Sequence, residues 1–292
     1  MCNSVIYNLE YDRFYYQKEA ITTNKPITLC YHIGYECNLD CDYCLSKNVA
    51  SQPITTDLSD FIQYISNWKP LRLVISGGEP LIYMDKLVRI LSGLKEKGIN
   101  TFVSTNGILI TKEYSRLRGL VDWYDISLPA IRKSTYSRVR GKDKFEEILE
   151  GIALLKRNHE RVRLTFTVNE ENKNEMLDFP QFALSLGVDN IRIGHTFSNV
   201  DGALEKNLWR DEYRDMFLAY EDKMKVYLPL SQHQMGLYNE GYIIVENDGA
   251  IYRGMVNKEN YICHISEVDS FNDTFVRIGS LQRQLFVGDY NE

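Results

Sequence analysis

Between residue 27 and about residue 195, short β-branched apolar runs alternate with segments whose apolar residues recur every three or four positions. The runs "ITLCYHI", "LRLVISG", "NTFVSTN", "WYDISLP", "VRLTFTV" and "NIRIGHT" read as strands. The segments Asp57 to Trp68, Asp85 to Lys97, Lys144 to Asn158 and Lys173 to Leu186 read as amphipathic helices. Six strand–helix repeats predict an α/β fold, a parallel sheet curved as a partial (β/α)6 TIM-type barrel with helices on its outer face. In "KFEEILEGIALLKRN", Phe145, Ile148, Ile152 and Leu155 recur at helical spacing, which assigns that segment to packing. The run "NEENKNE" (169–175) reads as a solvated loop and helix start.

Beyond Trp209 a last helix leads to "GYIIVENDGAIYRG", two β-rich runs joined by "NDG", a hairpin signal. The pattern divides the chain into an N-terminal segment 1–26, the partial barrel 27–229 and a β-rich extension 230–292. Composition adds little to this: 44% apolar and 25% charged residues are ordinary for a soluble globular chain. No apolar run approaches the roughly 18 residues of a membrane span, and the N-terminus lacks a signal layout, so a cytoplasmic protein with no membrane partner is expected. A net charge of −6 argues against long nucleic acid as a partner.

The candidate chemistry lies in "YHIGYECNLDCDYCLS" (31–46), where Cys37, Cys41 and Cys44 stand in a C-x3-C-x2-C pattern. In a reducing compartment clustered cysteines point to metal or redox chemistry before disulfides. Iron–sulfur clusters usually take four thiolates, so three on a four-iron cluster leave one iron open to a substrate or cofactor. A zinc site with a histidine such as His32 as fourth ligand is the alternative.

With Tyr43 just before the last cysteine, this spacing resembles the radical S-adenosylmethionine (radical SAM) enzyme superfamily. The resemblance implies one [4Fe–4S] cluster on Cys37, Cys41 and Cys44, with S-adenosylmethionine chelated at the open iron. It also implies a reducing electron donor such as flavodoxin or ferredoxin, and release of a 5′-deoxyadenosyl radical that abstracts hydrogen from a substrate. "SGGEP" at the end of the second strand resembles the family's GGEP motif, so Gly77, Gly78, Glu79 and Pro80 would receive the cofactor's amino group. Glycines suit a close backbone approach and a carboxylate suits an ammonium group, although an ordinary strand-to-loop turn also fits. "STNG", "DISLP" and "RVRGK" resemble further contacts, through which Asn106 and Ser127 would hydrogen-bond the cofactor and Arg140 would clamp its carboxylate. "NIRIGH", with Ile193, would pack on the adenine, and a buried apolar strand explains it almost equally.

"IIVENDGAIYRGM" followed by "VRIGSL" resembles the SPASM extension of peptide-modifying radical SAM enzymes, in which a cysteine usually follows the turn. Gly254 stands at that position, and the leftover cysteines are the scattered Cys2, Cys30 and Cys263. A single cluster is therefore expected, with the extension as a cap over the substrate. Cys263 would return a hydrogen atom to the substrate, as in the family's peptide epimerases, or else fill space as a small hydrophobe. Cys30 reads as core, and His32 and His195 point to the barrel mouth or are packed and hydrogen-bonded. The leading substrate is a peptide or peptide-like natural product, although no separate leader-binding domain fits in the 29 residues or so before the first strand. A nucleotide or small metabolite, as in viperin-like enzymes, and a non-catalytic zinc or iron–sulfur protein are the alternatives.

Overall fold

The computed structural model describes residues 4–10, 12–17, 25–41, 43, 44, 46, 47, 49, 57–195, 213–229, 240–254 and 260–287. Cys2, Trp209, the first residues of the expected extension and the side chain of His195 lie outside the described residues.

All six strands expected from the sequence form: β3 (Thr28–His32), β4 (Arg72–Ser76), β5 (Asn100–Thr105), β6 (Trp123–Ser127), β7 (Val162–Val168) and β8 (Asn190–His195). They pair in parallel in chain order, as right-handed strand–helix–strand units require. A hairpin precedes them, β1 (Ser4–Asn8) and β2 (Arg13–Gln17), and β9 (Lys225–Tyr227) extends the sheet beyond β8. Near the C-terminus β10 (Ile243–Val245) returns to lie parallel to β3, and β11 (Ala250–Arg253) and β12 (Tyr261–His264) follow antiparallel. The hairpin read from "NDG" thus forms, and it continues the main sheet past β3.

The outer helices are α1 (Leu58–Trp68), α2 (Met84–Glu96), α3 (Ile110–Leu117), α4 (Lys133–Arg140), α5 (Phe145–Arg157), α6 (Phe179–Ser185), α7 (Tyr213–Leu218) and α8 (Asn272–Val287). Asp57 caps α1 by accepting from Ser59 N at 2.7 Å. Two expectations need correction. The helix expected over Lys173 to Leu186 is a short 3₁₀ turn, Lys173–Glu175, and then α6. Pro180 in the first turn of α6 lacks a donor to continue an earlier helix, while Asn172 and Glu175 spend their side chains on other loops. The extension is also not purely β-rich, since "VRIGSL" lies inside α8. Phe275, Ile278, Gln282 and Leu285 give α8 a buried stripe, and the polar Gln282 conceals its period in the sequence. That buried amide accepts from Ile27 N and Thr28 N and donates to the Thr28 and Gly241 carbonyls, fastening the helix to the start of β3.

Side chains alternate across a strand, so the register sorts the sheet into two faces. One carries Leu29, Tyr31, Leu73, Ile75, Val103, Ile126, Leu164 and Ile191, packed with Phe61, Ile65, Leu87 and Ile152 of the helices. The other lines the lumen and carries the buried ions beside an apolar row of Val74, Phe102 and Trp123. Asp12, from the turn after β1, accepts from Arg72 on one oxygen (2.8 Å) and Arg163 on the other (2.7 Å). Trp123 Nε1 donates to Leu9 O at 2.8 Å and Tyr227 Oη to Asp12 O at 2.8 Å, so the β1–β2 turn is tied into the lumen.

Candidate active site

The loop after β3 runs along the C-terminal ends of the strands, where barrel active sites are built. Gly78 N donates to Gly34 O and Glu79 N to Glu36 O, both at 2.8 Å, and Ile33 N donates to Ser76 O at 3.0 Å. The SGGEP turn is therefore zipped to the chain entering the cysteine motif. This contact explains both glycines: a Cβ on Gly77 would meet Gly34 O at 2.2 Å, and one on Gly78 would meet Glu36 O at 2.2 Å. Gly77 also holds φ at +123°. Ser46 Oγ, beyond the last cysteine, donates to Gly77 O at 3.2 Å and closes the loop onto the same turn.

Glu79 is fully buried, with no surface open to a ligand. Its Oε1 accepts from Thr105 Oγ1 at 2.7 Å and Leu81 N at 3.0 Å, and its Oε2 accepts from Asn106 N at 2.8 Å. Burial pushes its carboxyl up against the opposing pull of these donors. The structure thus corrects the expectation that Glu79 presents its carboxylate to the cofactor: it locks the SGGEP turn to the end of β5. Pro80 follows as the first residue of the 3₁₀ turn Pro80–Tyr83, where a missing N–H does no harm.

One side chain from a strand end and one from a helix end reach the cysteines. Asn106 Nδ2 lies 3.9 Å from Cys37 Sγ and donates to Asn38 Oδ1 at 2.7 Å. Arg140, buried at the end of α4, places Nη1 3.2 Å from Cys41 Sγ and donates through Nη2 to Ser127 O and Oγ, both at 2.6 Å. Tyr43 sets its ring 5.8 Å from the Arg140 guanidinium, and burial pushes its hydroxyl up to about 12. Arg140, Ser127, Tyr43 and Cys41 therefore form one connected group. Cys37 is exposed as a residue, yet its sulfur is partly withdrawn from water, which raises its thiol, and the charges of Glu79, Cys41 and Cys44 raise it further.

These residues fit an iron–sulfur cluster with a chelated cofactor. Donors from Asn106 and Arg140 face two of the three sulfurs, as thiolate ligands require. Arg140 Nε is buried without a partner among the described residues, an unspent donor beside Cys41 that suits an anionic group. His32 does not join the cysteines as a zinc ligand would. Its Nδ1 lies 3.0 Å from Tyr35 Oη and 3.3 Å from Glu246 Oε1, and Tyr35 Oη donates to Glu246 at 2.5 Å. Nothing in the sequence pattern linked Glu246, just after β10, to this end of the barrel.

The remaining expectations separate by face. Ile193 is packed at 1% exposure on the helix side of β8, so its side chain does not reach the lumen. Cys263 aligns with Ile251, which aligns with Val245 and so with Tyr31, and all four lie on the helix-covered face. That register corrects its proposed place beside the substrate. Cys30, aligned with Ile244 and Val74, is on the lumen side.

Residues 31–183 match the Radical SAM superfamily, and the chain belongs to that superfamily. It is an enzyme of the class that uses a [4Fe–4S] cluster and S-adenosylmethionine. A probable GTP 3′,8-cyclase of Saccharolobus islandicus is 30% identical over 168 residues, 55% of this chain and 54% of that protein. The chain thus spans about half the length of the curated relatives it matches. In three dimensions it resembles Streptococcus suis SuiB bound to S-adenosylmethionine, with a TM-score of 0.65 at 15% identity over 78% of this chain and 60% of SuiB. It also resembles anSMEcpe with bound AdoMet and Kp18Cys peptide, with a TM-score of 0.63 at 16% identity over 89% of this chain and 83% of that one. At these identities the likeness concerns the fold, a partial TIM barrel. Among the described residues no helix is long and apolar enough to cross a membrane.

Proposed function

We propose that the protein abstracts hydrogen from a peptide or peptide-like substrate held over the lumen. When bound, the cluster and S-adenosylmethionine would supply a 5′-deoxyadenosyl radical. Cys37, Cys41 and Cys44 would hold the cluster, Asn106 and Arg140 would keep the thiolates charged, and Arg140 with Ser127 would receive the cofactor's carboxylate. Tyr43 would shield that ion pair from water and so strengthen it. An electron donor such as flavodoxin or ferredoxin completes the scheme.

The observation that carries the peptide reading is the reach of the fold likeness: it runs over 89% of the chain to a protein whose structure holds a peptide. A second reading, a nucleotide or small metabolite, has its own support in the 30% identity to a probable GTP 3′,8-cyclase. Anaerobic incubation with reductant, S-adenosylmethionine and either a peptide library or GTP separates them, with mass spectrometry of the products. The peptide reading expects 5′-deoxyadenosine to form together with a peptide altered in mass or stereochemistry. Turnover that responds to GTP and to no peptide would replace it with the second reading.

A further inference from the structure

The lumen wall formed by β6, β7 and β8 carries more cationic donors than the described residues satisfy. Ser127, Thr165 and Arg192 align across β6, β7 and β8 on the lumen face. At the usual strand spacing of about 4.8 Å, Arg192 stands roughly 10 Å across the sheet from Ser127, the residue that holds Arg140. The Arg192 side chain is 41% exposed, and its one ion pair among the described residues is to Asp125, at 3.3 Å.

Asp125 is already occupied. It accepts from Arg163 Nη2 at 2.7 Å and from Thr165 Oγ1 at 2.6 Å. The ion pairs of this wall therefore join three guanidiniums, Arg72, Arg163 and Arg192, to two carboxylates, Asp12 and Asp125. Among the described residues these pairs leave one positive charge over, and Arg192 is the most exposed of the three side chains. One step down the wall Arg163 and Asn190 align, and Arg163 Nε and Asn190 Nδ2 are both buried without a partner among the described residues. Buried donors are normally satisfied, so two on one row beside a guanidinium that shares its carboxylate with Arg163 form an environment short of an acceptor.

We infer that Arg192, backed by Arg163 and Asn190, is an anion-binding subsite of the lumen that takes an oxyanion of the substrate. Given the peptide reading on which it rests, the oxyanion is a carboxylate, from an acidic side chain or a chain terminus. A phosphate offers the same chemistry and would come from a nucleotide. The planar fork of arginine suits either group, and Asp125 fixes the fork from behind.

The test uses the cluster-loaded protein, kept anaerobic and saturated with S-adenosylmethionine so that Arg140 is occupied. Glutarate and inorganic pyrophosphate are titrated separately by calorimetry into wild type, Arg192→Gln and Arg192→Lys. Wild type is expected to bind glutarate, Arg192→Gln to bind it about tenfold or more weakly, and Arg192→Lys to fall between. Asp125 keeps Arg163 in Arg192→Gln, so that variant retains a buried ion pair and should fold; Arg192→Lys keeps the charge as a second reading. Failure of both anions to bind wild type, or unchanged affinity in Arg192→Gln, overturns the subsite. Arg192-dependent binding of pyrophosphate alone keeps the subsite and assigns it to a phosphate, which counts against the peptide reading instead.

Discussion

On β3 to β6, Leu29, Tyr31, Leu73, Ile75, Val103 and Ile126 meet the helices, while the residues between them, Cys30, His32, Ser76, Ser104 and Asp125, face the lumen. The helix face is buried and the lumen face buried to half-buried, and they are held by different forces. The helix side depends on apolar area and shape, which many residues satisfy. The lumen side depends on named partners: Asp12 with Arg72 and Arg163, Asp125 with Arg163 and Arg192, His32 with Tyr35 and Glu246. An apolar truncation on the helix side costs a little volume, whereas loss of one ion on the lumen side leaves its partner short of a counter-charge. Stability is therefore spread over the outer face, and chemistry is concentrated on the inner one and on the loops at its rim.

The cysteine loop at that rim gives the largest expected effect. Changing Cys37, Cys41 and Cys44 together to alanine should reduce about four irons per reconstituted chain to essentially none, because thiolates retain the cluster. Its backbone bonds to β4 and the SGGEP turn and its side-chain bonds through Ser46, Asn38 and Lys86 do not use the sulfurs, so far-UV circular dichroism should stay that of wild type. An unfolded triple variant would show that the rim and the outer face are not separable.

A smaller, still large, effect is expected at the lumen floor. Asp12→Ala removes the carboxylate shared by Arg72 and Arg163, leaving Asp125 to Arg163, and should cost about 3–5 kcal/mol in urea unfolding, against about 1 kcal/mol for Ile75→Val on the opposite face. The acid limb should carry the same signature through Asp125. Burial alone would raise its carboxyl, but Arg163 and Arg192 outweigh burial and hold it well below the usual range. Its contribution is complete above the unfolded value of about 4 and is lost as pH falls toward the depressed folded value. Asp125→Asn should flatten that limb, and an unchanged acid limb would count against the ion-pair network.

Glu79→Gln should fall next, at about 1–3 kcal/mol of stability, because an amide nitrogen would confront either Asn106 N or the donors of Thr105 and Leu81. Cofactor affinity should weaken along with it, since the SGGEP turn would no longer be fixed to β5. Weakened S-adenosylmethionine binding with unchanged stability would return Glu79 to direct contact with the cofactor.

The outer face was legible in the sequence because its periods are regular, and all six parallel strands followed from them. The cysteine and SGGEP motifs were legible because their spacing is local. The lumen partners were not. Asp12 meets Arg72 and Arg163 across 60 and 151 residues, and Glu246 meets Tyr35 across 211, separations over which no local pattern reports. Pairing by register also had to be seen before Ile193 and Cys263 could be assigned to the helix side. Lys86 is a further case: a buried lysine in the apolar stripe of α2, it donates to Ile33 O at 3.1 Å and supports the start of the cysteine loop.

The smallest expected effect is at Cys263, where the two faces give opposite forecasts. On the helix-covered face it is a space-filling residue at 1% exposure, next to Ile251 in register, and burial pushes its thiol up to about 11. A neutral, packed thiol contributes volume, so Cys263→Ala should cost about 1 kcal/mol in a urea melt and leave the iron content unchanged. Cofactor cleavage and product yield should also be those of wild type. A hydrogen donor would behave otherwise: the alanine variant would still form the cluster and cleave S-adenosylmethionine, but product would fail to accumulate, and wild-type product made in deuterated water would carry a deuterium at the altered carbon. Deuterium gained in wild type and product lost in a folded Cys263→Ala protein would place that thiol at the substrate, and would mean that β12 turns its other face to the lumen during turnover.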